Sequence, residues 1–198
     1  MIKIKVNTKN VEQLVKNIAN KKLPAAIKNS LNDIGFKVKD DEVKALKQYL
    51  DKPIPFTEKG YEVVKATDTN HVVTVQARPI QEKYLAYAVD GGSRSRSPKG
   101  KVNIVPTGKQ YTNQYGNVPK GVLRMLLRDK KRFFSGAPRG RGSANAGIYQ
   151  RIGDRVKLMI AYEGTVTFKK RLPFEEVARE SVAKNYLRIF AAKLGKSL

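Results

Sequence analysis

The chain has 198 residues, with 40 Lys+Arg against 17 Asp+Glu, a net charge of +23, one His and no Cys. Without Cys there are no disulfides and no thiolate metal sites, and no stretch approaches the roughly 20 apolar residues of a membrane-spanning helix. A charge imbalance of this size costs self-repulsion in the folded state and implies an anionic partner, of which nucleic acid is the commonest.

In chain order, Ile2, Ile4 and Val6 alternate with lysines, a strand pattern with no apolar signal-peptide core. The chain is therefore expected to be soluble and not exported. Thr8 or Asn10 can cap a helix carrying Val11, Leu14, Val15 and Ile18 at helical spacing. Leu23-Pro24 is expected to restart the chain, with Pro24 in a first helical turn. A longer amphipathic helix follows over residues 23–50. Its stripe is Ile27, Leu31, Ile34 and Val38, continued by Val43, Leu46 and Leu50, and Gly35 weakens it locally. It is expected to be scaffold, with no direct contact to DNA.

Residues 51–57 (DKPIPFT) form a break, because Pro53 and Pro55 disfavour both helix and central strand. Two strands are expected over residues 61–66 and 72–77, the run His71-Val72-Val73-Thr74-Val75 being read with the second, and Pro79 ending it. Residues 80–89 are short and apolar and stop at Asp90-Gly91-Gly92. Residues 92–101 (GSRSRSPKGK) are basic and low in complexity. They and the second Gly/Ser-rich stretch, residues 135–147, are expected to be mobile in the free protein. Between them lie a possible return to strand at residues 102–105, a polar aromatic turn at 111–117, and a helix within 119–130 bearing Val122, Met125 and Leu126. Residues 148–152 and 155–162 read as strands turning at Gly153-Asp154. Pro173 opens a last helix lined by Phe174, Ala178, Val182, Tyr186 and Ile189. The order predicts an α+β domain spanning residues 1–198. A mostly antiparallel sheet, barrel- or sandwich-like, occupies 51–170; the helices of 1–50 and 171–198 pack on it.

The charge is unevenly placed. Residues 1–90 hold 16 Lys+Arg and 11 Asp+Glu, residues 91–142 hold 13 and only Asp129, and residues 143–198 hold 11 and 5. Half of the excess sits in about a quarter of the chain, whereas a merely solvated surface mixes its signs. The candidate anion-facing residues are Arg94, Arg96, Lys99, Lys101, Lys130, Lys131, Arg132, Arg139 and Arg141. Tyr111, Tyr115, Phe133 and Phe134 lie among them and could stack bases, although aromatics beside a strand are more often core.

No catalytic pattern accompanies these cations. His71 lacks a readable carboxylate partner. The acidic run Asp40-Asp41-Glu42 lies within a helix between lysines and reads as a solvated face rather than a metal site. The Gly-rich stretches match no phosphate-binding fingerprint. The single Gly140-Arg141-Gly142 is a weak single-strand-binding signal. No enzyme activity, cofactor or metal is expected, and any nucleic acid is expected to be felt through its phosphates.

Residues 52–57 (KPIPFT), a strand pair, then residues 84–92 (YLAYAVDGG) and a basic loop resemble the phage tail-completion proteins, in particular the minor tail protein Z group. Arg171-Leu172-Pro173-Phe174 before an amphipathic helix resembles that family's closing pattern. The likeness covers residues 23–194 and rests on order and spacing. It implies a structural subunit of a tailed-phage virion, assembled in the host cytoplasm. Such a subunit forms a homo-oligomeric, hexameric ring in the tail or neck, between connector or adaptor and tail proteins, with double-stranded DNA passing through. The alternative is a cellular, sequence-nonspecific nucleic-acid binder of the ribosome-associated kind.

Overall fold

The computed structural model describes residues 9–95, 103–119, 121–138 and 146–197. The fold is α+β with antiparallel strand pairing throughout. Among the described residues the strands form sheets of two, two and four, and none closes into a barrel, so the barrel-like variant of the expectation is not met. The chain divides into two compact units. Unit 1 comprises Met1–Tyr49, Pro55–Leu85 and Leu172–Leu198, and unit 2 comprises Leu50–Ile54 and Ala86–Arg171.

Unit 1 is built on one long helix. Helix α1 (Lys9–Asn17) runs through a π turn (Ile18–Lys22) into α2 (Leu23–Tyr49). The expected break at Leu23-Pro24 is absent. Pro24 has no N–H and its ring crowds the carbonyl four residues back. The wider turn, closed by the Leu23 N–H on the Ile18 carbonyl, absorbs this without ending the helix.

The buried line of α2 is Ala26, Ser30, Ile34, Val38, Glu42 and Leu46, a run at i, i+4 spacing. Ile34, Val38 and Leu46 lie where the apolar stripe predicts, while Ile27, Leu31 and Val43 flank them half-buried. Helix α6 (Phe174–Ser197) packs along α2. It runs antiparallel, since Lys193 Nζ meets Asp33 Oδ2 at 2.6 Å and Ser181 Oγ donates to Asp41 Oδ2 at 2.8 Å. The buried residues of α6 include Ser181 and Asn185, whereas Val182 of the predicted stripe is 41% exposed. Small and hydrogen-bonded side chains let the two backbones approach, and the apolar stripe is displaced to the flank.

Short α3 (Pro55–Glu58) occupies the stretch read as a break. Pro55 stands at its first position, where a missing N–H costs nothing, and its carbonyl accepts the Lys59 N–H at 3.1 Å. Strands β1 (Tyr61–Val64) and β2 (Thr74–Ala77) pair in the register Tyr61↔Ala77 to Val64↔Thr74. His71 and Val72, placed in the second strand by sequence, precede it and are exposed. Asn32 of α2 clamps the chain after β1: its Oδ1 accepts the Ala66 N–H at 2.7 Å and its Nδ2 donates to the Ala66 carbonyl at 3.2 Å.

Residues 80–89, which carried no predicted element, lie within helix α4 (Pro79–Val89). Pro79 again opens it. It ends where Gly91, at φ +75°, takes the left-handed conformation of a helix stop and donates to the Tyr87 carbonyl at 3.1 Å.

The acidic run departs most from expectation. Asp40 is exposed, but Asp41 is half-buried and Glu42 is fully buried, with no hydrogen-bond partner on either carboxylate oxygen. The solvated-face reading fails because α6 and β1 cover that side of α2. Burial, with the adjacent Asp41 charge, pushes the Glu42 carboxyl up to about 8. Burial also pushes Asp41 up, but hydrogen bonds from Lys37, Ser181 and Lys44 outweigh it and hold the group below its ordinary value.

Unit 2 contains a ribbon of β3 (Gly92–Ser95) with β8 (Thr165–Phe168), and a four-stranded sheet in the order β4 (Asn103–Pro106), β7 (Arg155–Glu163), β6 (Gly147–Ile152), β5 (Phe133–Gly136). Residues 92–95, expected within a mobile loop, are strand: Ser93 Oγ and Thr167 Oγ1 lie 3.1 Å apart across the ribbon. Residues 135, 136 and 147 likewise belong to strands, and the remainder of both basic stretches lies outside the described residues. The β6–β7 hairpin turns at Gly153, φ +56°, as predicted. A register shift between Ile148 and Tyr149 brings both Met159 and Ile160 of β7 into the core. Helix α5 (Val122–Arg128) closes that core with Leu126, against Phe133, Ile148, Met159 and Ile160.

Candidate nucleic-acid interface

Division into units sharpens the charge pattern. Unit 2, with 91 residues, holds 20 Lys+Arg and 5 Asp+Glu, net +15, while unit 1, with 107, holds 20 and 12, net +8. Ion pairs follow the same division. In unit 1, Lys28–Asp68, Lys37–Asp41, Lys47–Glu58 and Arg78–Glu62 join cations to carboxylates. Among the described residues of unit 2, Arg132 has a carboxylate in range, Asp129 Oδ2 at 4.0 Å.

The predicted cations fall into three groups. Arg96, Lys99, Lys101, Arg139 and Arg141 lie outside the described residues. Arg94 lies on β3, exposed, but its guanidinium is engaged: Nε donates to Asn103 Oδ1 at 2.8 Å, and its carbon sits 5.5 Å from the Phe168 ring centre. Lys130, Lys131 and Arg132 are exposed in the turn joining α5 to β5. Asp129 builds that turn, since its Oδ1 accepts the Arg132 N–H at 3.1 Å and its carbonyl accepts the Phe133 N–H at 2.9 Å. The single acid of residues 91–142 is thus used on backbone geometry.

Sheet formation adds cations that the sequence window left out. The Arg151 N–H donates to the Arg132 carbonyl at 2.7 Å, so the start of β5 lies beside the end of β6. In the β6–β7 hairpin, Gln150 faces Lys157 and Ile152 faces Arg155. Lys130, Lys131, Arg132, Arg151, Arg155 and Lys157, all exposed, therefore share one end of the four-stranded sheet. The strand pair bearing Arg151, Arg155 and Lys157 was legible. What brings it to the turn is the β5–β6 register Phe133↔Gln150, which has no local signature.

Phe133, Phe134 and Tyr111 are engaged in packing, and Tyr115 is half-buried in its turn. Phe133 is core, with Tyr111 against its edge at 6.3 Å. Phe134 stacks on buried Tyr149 at 5.5 Å, and the Arg151 guanidinium lies 4.4 Å from its centre. That contact orients Arg151. A positive patch whose neighbouring rings Phe133 and Phe134 are packed suits phosphate contact rather than base readout.

Among the described residues no group of three or more His, Cys, Asp or Glu is placed to hold a metal ion, and no helix is long and apolar enough to cross a membrane. Compared with protein-family models, curated proteins and solved structures, the chain matches none.

Proposed function

We propose that this chain is a structural, non-catalytic subunit of a tailed-phage virion. It forms a ring as a tail-completion or neck protein at the head–tail junction, and its basic unit 2 faces the DNA that passes. The observation that carries the reading is the concentration of charge. A net +15 on 91 residues, with six exposed cations at one sheet end, is costly self-repulsion unless an anion neutralises it. DNA moving through a ring requires that wall to be indifferent to sequence, as phosphate contacts are.

Parts of the segments that carry the family resemblance lie together in unit 1. Thr57 Oγ1 lies 3.0 Å from the Tyr84 hydroxyl, and the Tyr61 and Phe174 rings are 5.4 Å apart. Leu172, before the closing helix, is fully buried. These segments act as a packing set, which gives their spacing a physical reason.

The test is location and charge response together. Labelled antibody against the chain should decorate the head–tail junction of intact particles, and the purified protein should bind random-sequence duplex DNA with an affinity that falls steeply with salt. Recovery with ribosomes and absence from particles would replace the virion reading by the cellular one.

A further inference from the structure

Helix α5 of unit 2 turns an arginine pair to solvent. The helix is anchored by Leu126, buried against Phe133, Ile148, Met159 and Ile160, with Val122 and Leu123 packed on the same core. At 3.6 residues per turn, Arg124 and Arg128 each lie about 160° around the helix from Leu126 and about 40° from each other. They therefore share the face turned away from the core, about 6 Å apart along the axis. Both are exposed, and among the described residues neither guanidinium is paired with a carboxylate or a ring.

The pair lines a surface concavity of about 450 Å³ together with Gly121, Met125 and Asp129. The carboxylate in that lining is already engaged. Asp129 Oδ1 accepts the Arg132 N–H at 3.1 Å, and Oδ2 lies 4.0 Å from Arg132 Nε. Two uncommitted guanidiniums thus converge on one hollow. Residue choice also separates this face from the turn that follows it. Helix α5 carries arginine at both positions, whereas the turn carries Lys130 and Lys131. A guanidinium is a rigid fork that matches two phosphate oxygens at once, while an ammonium acts as a point charge.

We propose that Arg124 and Arg128 form a two-arginine clamp for one backbone phosphate of duplex DNA at the concavity on α5, in addition to the contacts of the sheet end. The inference rests on the DNA-facing part of the proposed function. It adds a site where fork geometry, and not charge alone, holds the phosphate. The clamp reads no base, because both forks are spent on phosphodiester oxygens.

The test is binding of random-sequence duplex by the full-length chain across a salt series. Arg124→Ala/Arg128→Ala should weaken binding by about tenfold or more, the scale of a lost charged hydrogen bond. It should also flatten the slope of log affinity against log salt by about 0.9, for one phosphate released. Arg124→Lys/Arg128→Lys keeps both charges, so it should keep the wild-type slope and still lose affinity by about tenfold. Wild-type affinity in the lysine pair would overturn the clamp and leave a general basic surface facing DNA. Wild-type affinity in the alanine pair would overturn it too, and would leave the arginines to an acidic protein neighbour. A wild type that binds no duplex at any salt would sink both the clamp and the DNA-facing reading. The substitutions are at exposed positions and introduce good helix formers, so circular dichroism melts should match the wild type. If a double variant is unfolded, Arg124→Lys and Arg128→Lys replace it singly, and each should lose affinity at an unchanged slope.

Discussion

Arg94 and Asn103 hold each other across the two ends of the basic loop. The Arg94 Nε donates to Asn103 Oδ1 at 2.8 Å, and Asn103 Nδ2 donates to the Arg94 carbonyl at 3.1 Å and to the Gly164 carbonyl at 3.5 Å. Asn103 is buried, so its amide is the local partner for these groups. Asn103→Ala should cost about 1–3 kcal/mol, the penalty for unpaired polar groups away from water, while Asn103→Asp, which keeps the acceptor for Arg94, should cost less. Urea midpoints of the two variants check this; an unshifted midpoint in Asn103→Ala would show that solvent replaces the amide freely.

Lys130 and Lys131 of the α5–β5 turn are exposed and carry no such structural duty. Lys130→Ala/Lys131→Ala should flatten the slope of log affinity against log salt for duplex DNA by about 0.9 for each phosphate left without its cation. Stability should change by no more than about 0.5 kcal/mol, because both side chains are exposed. Arg94→Ala should lower both affinity and stability. Filter-binding titrations across a salt series, with a melt for each variant, separate the two classes. Equal slopes for wild type and the lysine pair would remove the turn from the interface.

Glu42 gives unit 1 a pH dependence of defined sign. Its carboxyl rises from an ordinary 4.5 to about 8 in the fold, so between those values the folded state holds a proton that the unfolded chain releases. The stability associated with neutral Glu42 is complete below about pH 4.5 and is lost as pH rises towards 8, at up to roughly 1.4 kcal/mol per pH unit. Asp41 works in the opposite direction in a separate window: its carboxyl is lowered from 3.8, and its contribution is lost only as pH falls below that value. Glu42→Gln should flatten the profile between pH 5 and 8 and be more stable than wild type at pH 8. Denaturant unfolding at both pH values decides it. Parallel profiles for wild type and Glu42→Gln would mean that Glu42 is solvated and ionised in the fold.

Gly35 interrupts a strong helix for a packing reason. A Cβ there would lie 2.5 Å from Val73 Cγ2 and 3.0 Å from Val63 Cγ1, so the missing side chain lets the β1–β2 hairpin approach α2. Helix propensity alone favours Gly35→Ala by up to about 1 kcal/mol. The clash with two stiff β-branched side chains opposes it by about 1–3 kcal/mol. The variant should therefore be less stable than wild type, and a raised thermal midpoint would show that the hairpin yields easily.

What the sequence determined by itself is what depends on near neighbours. The α2 stripe through Ile34, Val38 and Leu46, the hairpin turning at Gly153, the closing helix after Pro173 and the basic balance are set by periodicity, turn chemistry and composition within a few residues. Burial of the acidic run at Glu42 had no such signal, because it depends on α6 arriving antiparallel from some 140 residues away. The Gly92–Ser95 strand had none either, since a Gly, Ser and Arg segment has no apolar alternation and becomes a strand only when Thr165–Phe168 supplies its hydrogen bonds. The same holds for the cation cluster. Composition placed positive charge in the middle of the chain, but the β5–β6 register put Arg151 beside Arg132 and Phe133 in the core. Long-range pairing is chosen by which distant surfaces fit together, and that energy is not written in any one segment.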